Sequence, residues 1–399
     1  MFRKVYVTGI GIISSIGNNV TENLDSLLNE KAGIRHVQHI DSIYSEQLSA
    51  GEINFKNEQL CTLLGIKSSK GYTRSTLLAL VAAKEACKDS NYSADENVRT
   101  GLISATTVGG MDKSELHYRE FHIDNTHHCY IATHDCADHT EKLADELHIN
   151  DFVTTISTAC SSSANAILLG SRLIINGTLD RVLVGGSECL SKFHINGFNS
   201  MQILDPDPCK PFDENRKGIN LGEAAAYLML EAEELVIKDH KKHYCVVSGW
   251  GNACEAFHQT ASSPEGTGAV LAMNKALKIA NLLPSDISYI NAHGTGTPNN
   301  DSSEGKAIET VFQSNIPPIS STKPYTGHTT SAAGAVEAIF SILSLQNQVL
   351  FPNLNFSNQI QELGFSPITT LKRNVPQKHV LSNSFGFGGN NTSLIFSLD

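Results

Sequence analysis

Residues 151–176 read DFVTTISTACSSSANAILLGSRLIIN, and the pattern breaks at a single cysteine. Asp151–Ile156 carries a β-branched run and is read as a strand. Ser161–Asn176 is small or apolar at almost every position, which predicts a helix buried on all sides. Cys160 therefore stands on a strand–turn–helix junction, where unpaired helix amides and the macrodipole favour an anion. That setting predicts a lowered thiol pKa and a nucleophilic thiolate. The small neighbours would let a substrate approach closely. The plain alternative is an inert cysteine packed at a tight turn.

Working outward, strand-like and helix-like segments alternate. Val5–Thr8, Gly101–Thr106, Arg181–Val184 and Ala224–Leu230 read as strands, and Leu77–Asp89 as a helix. This order implies a parallel or mixed sheet sandwiched by helices. After a charged helix end, EAEELVIKDHKKH at 231–243, the pattern restarts. HYCVVSGWGNACEAF resembles the opening KVYVTGIGIISSIGN: strand, glycines, loop. Gly266–Ala280 and Ser331–Gln346 read as helices, Ile287–Ile290 as a strand and Val380–Ser397 as a strand pair. The chain is thus expected to be an internally duplicated α/β unit, with halves at 1–236 and 237–399. The charge run is expected to be a solvated helix face, and the single Trp250 to serve packing.

With 399 residues there is enough chain for a large core. The formal net charge of −11 argues against bulk attraction to nucleic acid or to an anionic membrane. No apolar run is long enough to span a bilayer, and the N-terminus has no signal-peptide pattern. Nine dispersed cysteines without CxxC pairs read as reduced cytoplasmic thiols.

Three further segments carry polar chemistry. In Ile290-Asn291-Ala292-His293-Gly294-Thr295-Gly296-Thr297-Pro298 a histidine follows an apolar strand, where parallel-sheet enzymes place ligands. Its two threonine hydroxyls suit a polar linker such as pantetheine. The GTGTP run lacks the spacing and the lysine of a phosphate loop. In Ser320-Ser321-Thr322-Lys323-Pro324-Tyr325-Thr326-Gly327-His328, a lysine and a histidine lead into an apolar helix carrying Glu337, and such groups must be paired if buried. A helix-capping histidine with a surface lysine is the bland reading. The glycines of Phe385-Gly386-Phe387-Gly388-Gly389-Asn390-Asn391 suit a gate or an oxyanion-hole amide, or only a hairpin turn.

Taken together and in order, VTGIGIISSIG, TACSSS, PFDENRKGINLGE, HGTGTPNND, STKPYTGH and NSFGFGG resemble the elongating β-ketoacyl-[acyl carrier protein] synthases of the thiolase superfamily. The resemblance implies a thiolase fold of duplicated, five-layer α-β-α-β-α architecture. It implies Cys160 as the acyl-accepting nucleophile, His293 and His328 as paired histidines, and Lys323 and Glu337 as members of the same network. It further implies Phe387 as a gate whose amide, with that of Cys160, forms an oxyanion hole. Thr295 and Thr297 would hold pantetheine, and Val108 and Phe385 would line the substrate site. The implied reaction is decarboxylative condensation of an acyl-cysteine with a malonyl carrier protein, with no cofactor or metal. The implied partners are acyl carrier protein and either a second copy or a chain-length-factor-like subunit. Arg172, Arg216 and Lys217 are candidates for a carrier-protein patch.

Asp205 and Asp207 replace the usual basic segment before PFDENR, Asn390-Asn391 follows the glycine turn, and Val108 stands where isoleucine is common. These departures resemble the specialised branch that builds polyene pigments. Two rival readings are a Cys-His hydrolase or acyltransferase and a non-catalytic partner subunit. The first leaves one histidine and Lys323 without purpose, and the second leaves the intact Cys160 unexplained. Residues 117–139 hold His117, His122, His127, His128, His134, His139, Cys129 and Cys136, without a familiar zinc spacing. Surface histidines are the expected reading there.

Overall fold

A ten-stranded mixed sheet dominates the computed structural model, which describes residues 3–40 and 42–399. Met1 and Phe2, part of the N-terminal segment read above, lie outside the described residues. The first half supplies β1 (Val5–Ser14), β2 (Thr100–Ala105), β3 (Phe152–Ile156), β4 (Arg181–Glu188) and β5 (Ala224–Ala232). The second supplies β6 (Cys245–Cys254), β7 (Tyr289–Asn291), β8 (Ile319–Ser320), β9 (His379–Gly386) and β10 (Asn390–Ser397). Their spatial order is β8-β7-β9-β10-β6-β1-β5-β4-β2-β3.

From the centre outward, each half runs first, fifth, fourth, second, third strand in chain order. The pairings repeat too. β2 is parallel to β3 and β4, and β7 is parallel to β8 and β9. β5 is antiparallel to β1 and β4, and β10 to β6 and β9. A short antiparallel ladder, Tyr6 opposite Val246 and Val7 opposite Cys245, joins the halves.

The helices used below are α1 (Arg74–Asp89), α2 (Ser162–Ile175), α3 (Lys192–Ser200), α4 (Thr267–Ala280), α5 (Pro298–Phe312) and α6 (Ala333–Asn347). α1 packs on the outer face of the first half, in a core with Ile13, Leu102, Leu183 and Tyr227. α4 and α5 do the same for the second half, against Ile290, Leu381 and Ile395. α2 and α6 share one central core with strands of both halves, including Val5, Val184, Val380 and Phe396. The result is the expected succession of helix, sheet, helix, sheet and helix layers.

Three readings are corrected here. β1 does not end at Thr8 but runs to Ser14. Gly9 and Gly11, read as breakers, lie where α1 approaches the strand. An added Cβ would stand 2.4 Å from the Ala86 carbonyl oxygen at Gly9 and 2.1 Å from that of Ala82 at Gly11. α2 is not buried on all sides, because Arg172 is exposed. The helix that is buried along nearly its whole circumference is α6, from Ala333 to Leu345. Finally, the charge run is not all solvated. Glu231 is fully buried at the end of β5, where Lys241 Nζ bonds both its carboxylate oxygens at 2.8 and 2.9 Å. Trp250 packs in the central core. Among the described residues no helix is long and apolar enough to cross a membrane.

Candidate active site

Cys160 sits between β3 and α2 on a strained turn, since the preceding Ala159 has φ +51° in the left-handed region. A non-glycine residue is held there because the turn is tied to the start of α2: Thr158 N bonds the Ser162 hydroxyl at 2.8 Å, and that hydroxyl bonds Ala159 O at 2.6 Å. The turn points the cysteine toward the glycine loop after β9. A Cβ on Gly386 would lie 3.1 Å from Cys160 N, so only glycine allows this approach without displacement.

His293 lies two residues past the end of β7, and its position is set by a buried carboxylate on α5. Glu304 accepts from His293 N at 2.9 Å and from Gly294 N at 2.8 Å, while Asn383 Nδ2 bonds it at 3.1 Å. Asp301, one turn earlier, accepts from Thr295 N at 3.0 Å. Thr297 caps α5, and its hydroxyl lies 2.8 Å from that of Thr295. His328 belongs to the second half by sequence but is pinned to the first. Its backbone N donates to Asn220 O at 2.7 Å, and its carbonyl accepts from Gly222 N at 2.9 Å.

These constraints bring the cysteine and the two histidines singled out from the sequence together. The Sγ of Cys160 and one ring nitrogen each of His293 and His328 all lie within 4.8 Å of one another. The two imidazole rings meet edge to face, with centroids 5.3 Å apart. Behind them Lys323, buried with Glu337, bonds that carboxylate and the His293 carbonyl and stands 3.1 Å from His293 Nδ1. A lysine ammonium only donates, so Nδ1 accepts and the ring proton falls on Nε2. Sequence reasoning left Lys323 open between surface and interior; it is 2% exposed.

Electrostatics follow from burial. Both imidazoles are held well below the usual histidine range, first by desolvation and then by the Lys323 charge, so they are neutral. Desolvation raises the Glu337 carboxyl to about 7, against the pull of Lys323. The Cys160 thiol departs from expectation. Burial pushes it up to about 11, although the Lys323 charge and the backbone N–H of Phe387 and of Cys160 itself pull the other way. Helix-terminal donors lower a thiol pKa only while water still solvates the sulfur, and here desolvation outweighs them. Alkylation of Cys160 by iodoacetamide is accordingly expected to accelerate about tenfold per pH unit from roughly pH 7 to 9. A rate that levels off below about pH 8 would show a low-pKa thiolate instead.

Two cavities meet at Cys160. One, of ≈ 290 Å³, is lined by Cys160, His293, His328, Thr295, Thr297 and Phe385 among others. The other, of ≈ 180 Å³, is walled by Val108, Phe193, His194, Phe198 and Thr330. Phe387 and Phe198 border both, with ring centroids 5.9 Å apart and planes inclined by 22°. All ten residues that the resemblance implies for the site therefore line one of the cavities or belong to the buried network behind them. Sequence reading missed Asp301 and Glu304, although two acids just after HGTGTP were a visible signal. It also missed His194 and Phe198, which only folding brings to the cysteine.

Other candidates fall elsewhere. Arg216 is not a free docking cation: its guanidinium bonds Asp213 O, Pro298 O and the Ser302 hydroxyl. Arg172 and Lys217 are exposed. In the histidine-rich stretch, His117 and His127 stack with ring centroids 3.8 Å apart and share the Glu120 carboxylate. Rings lying parallel at that spacing cannot both aim in-plane lone pairs at one ion. His139 corrects the surface reading, being buried with its ring nitrogens against the Ser104 hydroxyl and Cys136 O.

A duplicated five-layer fold with a cysteine and two histidines at the meeting of its halves defines a thiolase-type condensing enzyme. Residues 2–235 match the β-ketoacyl synthase N-terminal domain, and residues 244–357 the β-ketoacyl synthase C-terminal domain. The chain belongs to the β-ketoacyl synthase family and is an acyltransferase-type enzyme. It is 32% identical over 410 residues to a 3-oxoacyl-[acyl-carrier-protein] synthase 2 of Staphylococcus aureus, covering 99% of this chain and 98% of that one. Among solved structures it resembles the ishigamide ketosynthase/chain length factor, with TM-score 0.92, 27% identity and 100% coverage of both chains. It also resembles the ketosynthase ApeO, solved with its chain length factor ApeC from Xenorhabdus doucetiae, with TM-score 0.86 and 32% identity over 100% of this chain and 98% of that one.

Proposed function

We propose that this protein is a β-ketoacyl-[acyl carrier protein] synthase that extends an acyl chain held on Cys160. The observation that carries this reading is the convergence of the Cys160 sulfur with two neutral imidazoles beside a cavity. The sulfur takes the acyl group from a carrier-protein thioester, and the pantetheine thiol leaves with the proton. Malonyl carrier protein then binds, its linker along Thr295 and Thr297. Imidazole N–H groups of His293 and His328 donate to the malonyl thioester oxygen, which stabilises the enolate formed as carbon dioxide departs. The enolate carbon attacks the acyl carbonyl on Cys160, whose oxygen faces the amides of Cys160 and Phe387. The cysteine leaves and is reprotonated. Lys323 and Glu337 act through His293, by holding its proton on Nε2. No resident cofactor or metal is needed, because cysteine supplies the covalent step.

The substrate class is read as polyene or polyketide-type chains, supported by Val108 on the cavity wall, by Asp205 and Asp207, and by the likeness to ApeO. A partner subunit, a second copy or a chain-length-factor-like chain, is supported by the unpaired edge of β3, with Val153 38% exposed, and by exposed Leu116, Tyr118, Ile123 and Ile131. A cytoplasmic location accords with nine free cysteines.

The test is incubation with acyl and malonyl carrier protein, followed by mass spectrometry of cysteine adducts and products. A two-carbon β-keto extension with release of carbon dioxide is expected. Thioester hydrolysis alone would favour the Cys-His hydrolase, and extension of saturated starters with polyenoyl starters left unextended would remove the polyene assignment.

A further inference from the structure

We propose that Asn390 is a positioning residue for the oxyanion hole: its amide oxygen ties the loop that carries Phe387 to the turn that carries Cys160, so that the two backbone N–H groups face one acyl oxygen. This rests on the synthase reading above and deepens it.

The loop between β9 and β10 stands on the nucleophile turn at both ends. At one end is Gly386, where an added Cβ would lie 3.1 Å from Cys160 N and from Thr158 O, and 3.3 Å from Ser161 N. That contact is steric. At the other end is Asn390, and its contact is polar. Its Oδ1 accepts from the Ser161 hydroxyl at 2.7 Å, from Asn165 Nδ2 at 2.9 Å and from Asn252 Nδ2 at 2.9 Å. Ser161 is the N-cap of α2 and Asn165 lies one turn into that helix, whereas Asn252 lies on β6. One oxygen therefore gathers donors from both halves of the chain, next to the nucleophile.

Between its two ends the loop is soft. Gly388 and Gly389 have φ +78° and +79°, and nothing lies within 4 Å of a Cβ built on Gly388. Gly388 N donates to Gln259 O at 2.7 Å, and Gly389 O accepts from Glu255 N at 3.0 Å. Those bonds tie the glycines to the segment after β6, not to the turn of Cys160. The Phe387 N–H nevertheless faces the Cys160 thiol. The Asn390 oxygen supplies the polar restraint that keeps it there. The Ser161 hydroxyl has one proton and a second acceptor, Thr158 O at 2.8 Å. Without the Asn390 oxygen that proton passes to Thr158 O, Asn165 and Asn252 lose their shared acceptor, and the polar tie between loop and turn is gone.

The consequence is selective. Acyl transfer to Cys160 and attack of the enolate on the acyl-cysteine both put negative charge on the acyl oxygen, and both need the two amides. Decarboxylation uses the imidazoles of His293 and His328 and does not. An enolate that meets a poorly activated acyl-cysteine takes a proton instead. Malonyl thioester and a proton then give acetyl thioester and carbon dioxide, with no carbon–carbon bond formed.

The test reads that branch point. Wild type and variants receive malonyl-pantetheine together with whichever of hexanoyl- and 2,4-hexadienoyl-pantetheine wild type extends, and mass spectrometry quantifies acetyl-pantetheine and β-ketoacyl product in one tube. Asn390→Ala is expected to raise the acetyl-to-ketoacyl ratio about tenfold or more over wild type. Asn390→Asp, which keeps an acceptor oxygen before the same three donors, should stay within about threefold of wild type. Ser161→Ala, which removes one donor and leaves Asn390, should give a smaller rise than Asn390→Ala. Loss of folded protein lowers both products together and leaves the ratio where it was. A wild-type ratio in Asn390→Ala overturns the proposal, as does a ratio in Asn390→Asp as high as in Asn390→Ala. If Asn390→Ala yields no folded protein, Ser161→Ala decides, and a wild-type ratio there overturns the proposal. A wild type that forms no β-ketoacyl product from either starter would instead bring down the synthase reading itself.

Discussion

Cys160→Ala is expected to lose the covalent acyl adduct entirely and to cut condensation by about four orders of magnitude or more, since removing the nucleophile of a concerted set disables the whole set. Stability should change little, by about 1 kcal/mol, because a single buried sulfur is removed and the turn is held by backbone and serine contacts that remain. Those contacts, Thr158 N to the Ser162 hydroxyl and that hydroxyl to Ala159 O, do not involve the cysteine side chain. Intact-mass analysis after exposure to an acyl thioester reads the adduct, and denaturant unfolding reads the fold. An adduct persisting in this variant would place the nucleophile elsewhere.

Lys323→Ala should be the most destabilising change in the site. It leaves Glu337 in the interior without its cation, and breaking a buried pair from one side costs about 3–5 kcal/mol. The loss should depend on pH, and the sign follows from the raised carboxyl. Folded-state Glu337 titrates at about 7, above its ordinary value of 4.5. A raised carboxyl contributes its stability below the unfolded pKa, and that contribution fades as pH climbs through the folded one. Removing Lys323 moves the folded value higher still. The variant should therefore be penalised less at about pH 5, where Glu337 is protonated, than at about pH 8, where folding must bury either a lone anion or a proton taken up from solvent. Urea midpoints at the two pH values measure this; equal losses at both would mean that Glu337 is not the group left exposed to the interior field. The double variant Lys323→Met with Glu337→Leu is expected to recover most of the stability while condensation stays lost, because His293 Nδ1 has no donor to fix its proton on Nε2. Recovery of condensation in that variant would remove Lys323 and Glu337 from the mechanism.

The elements that read most clearly were those whose period and composition agree with their surroundings. Residues 151–176 divide into strand, turn and helix because β-branched residues give way to small ones at Cys160, and the turn was placed there correctly. The repeat of strand, glycines and loop after residue 243 was read as a duplicated α/β unit, and in the structure the two halves build the same five-strand order. Readings failed where a distant segment set the local conformation. Gly9 and Gly11 look like breakers until α1 is laid across them. Glu231 looks like part of a solvated run until Lys241 folds back on it.

What the amino-acid order determined unaided is the set of candidate groups. A cysteine at a helix start, a histidine after a strand and a lysine–histidine loop before an apolar helix are each written in local spacing, because backbone geometry at such junctions is a short-range matter. What only the tertiary structure decided is their environment. The proton affinity of the Cys160 thiol depends on how thoroughly the two halves exclude water from it, and that reversed the expected direction. The placing of His194 in the cavity beside Cys160, and the pinning of His328 by Asn220 and Gly222, depend on contacts between residues more than thirty positions apart in the first case and more than a hundred in the second. Desolvation is a sum over everything packed around a group, so no stretch of sequence around that group can specify it.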